Sequence, residues 1–116
     1  MSSRIVRYRW DEIQLDKVTE MVACKTLGGA ELELTQAYFK KGTRVPLHAH
    51  PDERLLYVLQ GVVRVVTGAD DATLREGELL VLPAGVEHQA EVFDDTFVLT
   101  VGRRRPVPDG GSDAGQ

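Results

Sequence analysis

Apolar and polar positions alternate along most of this chain with the two-residue period of β-strands. Residues 30–39 (AELELTQAYF) set Leu32, Leu34, Gln36 and Tyr38 against Glu33, Thr35, Ala37 and Phe39, so both faces are partly apolar. Lys40-Lys41-Gly42 follows as a turn. Residues 54–60 (RLLYVLQ) and 62–67 (VVRVVT) are aliphatic and β-branched runs split by Gly61, which predicts a hairpin. Gly68–Ala72 is the next turn. Short strands are predicted at 73–76 and 79–82 around Gly77. The Pro83-Ala84-Gly85 turn precedes 87–93 and 96–101, which flank Asp94-Asp95. Met21, Val22 and Cys24 fall on a further strand. The best helical stretch, 10–16, is too short to stand alone. Strands broken by Gly, Pro and Asp at this rhythm predict an all-β antiparallel sandwich or barrel. Phe93 and Phe97 are expected in its core.

Size and composition narrow the class. The 116 residues allow one domain, and 42% hydrophobic with 28% charged residues is a globular balance. Glycine and proline dominate the end, so the domain is read as 1–103, followed by a disordered tail over 104–116. The net charge of −4 lacks the basic balance of a nucleic-acid or acidic-membrane binder. The opening residues form no signal peptide, and no apolar run spans a bilayer, so the expected location is cytoplasmic. Cys24 is the only cysteine, which excludes an internal disulfide and a cysteine-rich zinc module. It is expected to be a small buried hydrophobe.

The chemistry concentrates in three histidines: His48, His50 and His88. His48-Ala49-His50 puts two imidazoles on one face of an extended segment, where both can reach one ion. Neutral imidazole suits zinc, iron, copper and nickel better than calcium or magnesium.

The flanking residues give these histidines a frame. Gly42 precedes His48-x-His50 by five intervening residues, and Gly61 lies eleven positions after His50. Gly77, five residues, Pro83-x-Gly85, two residues and His88 form the second stretch. These stretches, motif one over 42–61 and motif two over 77–92, resemble the paired motifs of the cupin superfamily. More loosely the chain resembles small single-domain cupins of bacterial operons, including those that linearise unsaturated uronic acids. The resemblance implies a double-stranded β-helix, or jelly-roll, barrel in which His48, His50 and His88 hold one divalent transition metal (Fe, Mn, Ni, Cu or Zn). It also implies a homodimer, often formed by lending an N-terminal strand. Residues 4–9 (RIVRYR) alternate in a way that fits such an edge.

Two positions depart from the pattern. Arg54 stands where motif one has its carboxylate or glutamine ligand, and Val92 replaces the asparagine that closes motif two. A guanidinium donates only and cannot ligate a cation, so metal binding should weaken. Arg54 either clamps an anionic substrate, since its fork matches a carboxylate, or turns to the rim toward Asp52, Glu53 or Glu87. Glu53 faces away from the histidines unless a bulge intervenes. Gln36 and Tyr38 share a face and are expected, with Arg54, to line the pocket beside Leu56, Val58 and Val92.

Three functions follow. The first is a metal-dependent isomerase, ring-opening enzyme or dioxygenase acting on a small, anionic organic substrate. The second is a metal-poor module that binds or senses a small carboxylate through Arg54. The third is a dimeric barrel without chemistry. Because the metal takes all three histidines, proton transfer would fall to bound hydroxide, Glu53, Glu87 or Tyr38.

Overall fold

The computed structural model describes residues 4–104. Among the described residues ten strands form two antiparallel sheets: β1 Asp16–Lys17, β2 Val22–Gly28, β3 Leu32–Phe39, β4 Arg44–His48, β5 Arg54–Gln60, β6 Val62–Thr67, β7 Asp71–Arg75, β8 Leu79–Leu82, β9 His88–Val92 and β10 Thr96–Arg103. The six-stranded sheet runs β1-β2-β3-β10-β5-β8, and the four-stranded sheet runs β4-β9-β6-β7. This is the expected all-β jelly roll. Among the described residues no helix is long and apolar enough to cross a membrane.

The inner faces of the two sheets make the core. Cys24, Ala37, Phe39, Val58 and Val98 from the larger sheet meet Val63, Val65, Leu74 and Val92 from the smaller, closed by Leu82. These positions obey the two-residue period, which points alternate side chains inward. Burial raises the Cys24 thiol pKa, with Asp16 adding to the effect, so this cysteine is a buried hydrophobe as expected.

Several expectations change. Residues 54–60 and 62–67 are strands, but they form no hairpin: β5 pairs with β10 and β8, and β6 with β7 and β9. The chain changes sheets at Gly61, whose φ of 103° lies in the left-handed region. A side chain there would also meet the Asp95 carbonyl at 2.6 Å, so the corner admits only glycine. β4 escapes notice in the sequence because Pro46 interrupts it. It survives as an edge strand, with its register broken between Val45 and His48. Phe93 is 46% exposed rather than in the core. Phe97 faces outward and stacks on Tyr38, with centroids 4.6 Å apart. Strand parity explains both: Val92 and Val98 take the inward positions.

The ends complete the picture. Residues 4–9 form no strand within the chain, and Ile5 is fully exposed. Trp10–Glu12 is one 3-10 turn, with Ile13 already extended. Trp10 anchors this segment: its indole Nε1 donates to Gln36 Oε1 at 2.6 Å, and Lys25 Nζ donates to its carbonyl at 3.0 Å. The tail expected over 104–116 lies, from 105 onward, outside the described residues. Arg104 is tied back to the β2–β3 turn, its backbone N–H donating to Glu31 O and its Nη1 to Gly29 O.

Candidate metal centre

The three histidines meet at one end of the barrel. His48 closes β4 and pairs across the ladder with His88, which opens β9. His50 follows two residues after His48, and its carbonyl accepts from the Gly85 N–H at 2.8 Å. That bond fastens the first histidine segment to the Pro83-Ala84-Gly85 turn. The ring centroids lie 4.2 Å (His48–His88), 4.9 Å (His48–His50) and 5.2 Å (His50–His88) apart. One ligand nitrogen from each lies within 4.8 Å of the others, so the cluster could hold a metal ion. His50 and His88 are buried, and His48 is half-buried.

The ring orientations fit that role. His48 Nδ1 lies 2.8 Å from the Pro46 carbonyl, and His88 Nδ1 lies 3.0 Å from the Val86 carbonyl. A carbonyl only accepts, so each Nδ1 carries the proton and each Nε2 keeps its lone pair for a ligand bond. Carbonyl partners of this kind fix the tautomer and the ring plane of metal-binding histidines. Burial pushes the His88 pKa below the ordinary histidine value. The Val86 bond opposes this, and the charges at His48 and Arg54 add to it. A neutral imidazole at pH 7 is the form that binds metals.

Arg54 lies inside, not at the rim. It is 8% exposed and opens β5 in the six-stranded sheet, across the barrel from β4 and β9. With the three histidines it lines a cavity of about 70 Å³. The remaining wall is apolar apart from Thr100: Ala37, Phe39, Val45, Leu56, Val63, Val65, Leu82, Ala90, Val92 and Val98. No aspartate or glutamate lines it among the described residues.

The expected pocket is corrected on one strand. Gln36 and Tyr38 do not line the cavity. On β3 the inward positions belong to Thr35, Ala37 and Phe39, and Gln36 and Tyr38 face outward, toward Trp10 and Phe97. Leu56, Val58 and Val92 point inward as expected, and Leu56 and Val92 line the cavity. Glu53 and Glu87 are exposed and outside it. Two inward residues escape the sequence reading. Thr100 and Gly102 share the inner face of β10 with Thr96 and Val98, and carrying that two-residue period on to 102 would have found both.

Two antiparallel sheets closed around an internal three-histidine cluster define a small β-barrel able to hold a metal. The profile of the cupin domain matches residues 36–101, and the chain belongs to that family. It is 37% identical over 67 residues to 3-hydroxyanthranilate 3,4-dioxygenase of Bos taurus, a match covering 54% of this chain and 23% of that enzyme. The fold is similar to that of KdgF from Halomonas sp., with a TM-score of 0.77, 22% identity and coverage of 85% and 94% of the two chains. It is also similar to oxalate decarboxylase of Bacillus subtilis, a protein with Mn(II) centres. That likeness has a TM-score of 0.75, 16% identity and coverage of 90% of this chain and 30% of that one.

Proposed function

We propose that this cupin is a metal-dependent oxygenase of a small carboxylic acid. His48, His50 and His88 are its metal ligands, and Arg54 holds the substrate carboxylate. A divalent transition metal held there supplies Lewis acidity and redox chemistry with dioxygen. The observation that carries the choice of reaction is the cavity wall. Once the histidines are ligands, no described side chain lining it can take a proton at neutral pH. Tyr38 faces the other side of its sheet, and Glu53 and Glu87 lie outside, so isomerisation and ring-opening would have no side-chain base and would depend on bound hydroxide alone. Oxygenation makes no such demand, and the similarity to a dioxygenase supports it.

The chain's own residues set the rest. Arg54 offers a planar fork that orients a carboxylate in two-point contact. The valine and leucine wall keeps water from the reacting atoms, which strengthens that contact. A volume of about 70 Å³ suits an acid of a few heavy atoms, or one end of a longer one.

The test is dioxygen uptake by the Fe(II)-loaded protein over a panel of short carboxylic and keto acids. Acid-dependent uptake that disappears in His88→Ala supports the reading. Metal-loaded protein that binds these acids and consumes no dioxygen with any of them overturns it in favour of a binding module. The barrel is further read as a homodimer, its partner seated on the outer face of the six-stranded sheet. There Val81, Leu55, Val101, Leu34 and Leu27 form one apolar row across five strands.

A further inference from the structure

Among the described residues, the cavity wall holds five side chains able to form hydrogen bonds: His48, His50, His88, Arg54 and Thr100. Thr100 is the neutral hydroxyl of that set. It stands in the middle of β10, a strand paired on both sides, opposite Thr35 of β3 and Leu56 of β5. Its backbone is therefore fixed, and its branched side chain has few rotamers.

The other threonine hydroxyls buried in the barrel are occupied. Thr35 Oγ1 is bonded to Thr26 Oγ1 at 2.8 Å, Thr43 Oγ1 donates to the Lys40 carbonyl at 2.6 Å, and Thr96 Oγ1 donates to the Asp94 carbonyl at 2.8 Å. The Thr100 hydroxyl has no such partner among the described residues. Every other uncharged side chain of the wall is alanine, valine, leucine or phenylalanine. Valine would fill position 100 equally well. A hydroxyl facing an apolar cavity is costly unless something in the cavity bonds it.

The register sets this hydroxyl beside Arg54. Gly102, the next inward residue of β10, is paired with Arg54. A Cβ on Gly102 would stand 3.2 Å from Arg54 Cγ and 3.4 Å from Nε, so the arginine arm lies against β10 one inward position from Thr100. Inward neighbours on one strand are roughly 6.6 Å apart.

We infer that Thr100 is a specificity-determining residue, which selects small carboxylic acids that carry an oxygen on the second carbon, as a 2-oxo or 2-hydroxy group. This rests on the reading of the cavity as the seat of a small carboxylic acid, and asks nothing further of Arg54. A cavity of about 70 Å³ keeps the whole acid close to the metal cluster, so a group that reaches Thr100 lies near the carboxylate. A hydroxyl both donates and accepts, so it serves an oxo group as donor and a hydroxyl group in either sense. An acid with a plain methylene at that carbon leaves the Thr100 hydroxyl unbonded and is rejected for that reason.

The test titrates the Zn(II)-loaded full chain with pyruvate, lactate and propionate by isothermal calorimetry. The three acids share a carboxylate and a three-carbon frame and differ at the second carbon. Zn(II) itself favours the chelating acids, but equally in every variant that keeps the three histidines. The change in ratio between variants therefore reads Thr100. The wild type should bind pyruvate or lactate about tenfold more tightly than propionate. Thr100→Val keeps the shape and removes the hydroxyl, and should lower that ratio about fivefold while leaving propionate affinity within about twofold. Thr100→Ser restores a hydroxyl and should keep the ratio within about twofold of the wild type. A wild-type ratio in Thr100→Val overturns the inference, and so does an equal loss of affinity for all three acids. Wild-type protein that binds the three acids equally also overturns it, and leaves the carboxylic-acid reading standing. Wild-type protein that binds none of them overturns that reading and this inference with it.

Discussion

At the scale of single residues, the cavity carries this chain's individuality. Val92 is 2% exposed and stands where the family pattern places asparagine. Its environment is aliphatic, so Val92→Asn would bury an amide among Val63, Val98 and Phe39. We expect a cost of about 2 kcal/mol and a fall in Tm of roughly 8–16 °C by scanning calorimetry. An unchanged Tm would show that polar partners reach this site. Gly61 makes a different demand. Gly61→Ala meets both a left-handed φ of 103° and the Asp95 carbonyl. It should destabilise by more than about 1 kcal/mol, read from a urea unfolding midpoint. Arg54 and Gly102 make the same point about chemistry. The spacing of motifs exposes Arg54 as a departure, but the space that Gly102 leaves for it is visible only once β10 lies beside β5.

At the scale of elements, strand parity made most of the barrel legible. The runs at 54–60, 62–67 and 79–82 match β5, β6 and β8 residue for residue, because aliphatic pattern and glycine breaks are local properties. The partner of each strand is a long-range property. That is why a hairpin at Gly61 was the natural expectation and a change of sheet is the outcome. The histidine cluster was legible because glycine and proline fix its turns. The outward direction of Gln36 and Tyr38 was not, because β3 is apolar on both faces and its inner face depends on the opposing sheet. Two elements give predictions of their own. The Trp10 turn is held to β3 by one indole bond and to β2 by Lys25, whose Nζ also sits 5.1 Å from the ring centroid. Trp10→Ala should speed amide exchange through residues 10–15 and leave metal affinity unchanged. On the β6–β7 hairpin, Arg64 grips Asp71 through two hydrogen bonds of 2.9 and 2.6 Å. The guanidinium hydrogen bond holds the Asp71 carboxyl below its ordinary value of 3.8. The pair is therefore intact above that pH and loses its contribution as pH falls through the lowered folded-state value. Asp71→Asn should flatten the acid side of the Tm–pH curve, and an unaltered curve would show that solvent screens the pair fully.

The whole molecule has two unlike outer faces. The four-stranded sheet shows charges to solvent, with Arg44 beside Glu91 at 3.6 Å and Arg64 beside Asp71. The six-stranded sheet shows an apolar row instead, ending on Val81 and flanked by Leu79, which is 62% exposed. Monomeric proteins rarely leave a contiguous apolar patch of this kind in water. Light scattering should give twice the chain mass, and Leu79→Asp with Val81→Asp should halve it; an unchanged dimer would place the interface elsewhere. Between these faces the inner walls converge on His48, His50 and His88, and the functional account depends on that convergence. The most direct test is metal content by plasma mass spectrometry on tag-free protein, reconstituted with divalent transition metals and then passed through a desalting column. The account predicts about one ion per chain, lost in His48→Ala and in His88→Ala. Wild-type occupancy below about one-tenth after reconstitution, or full occupancy in both variants, would contradict it.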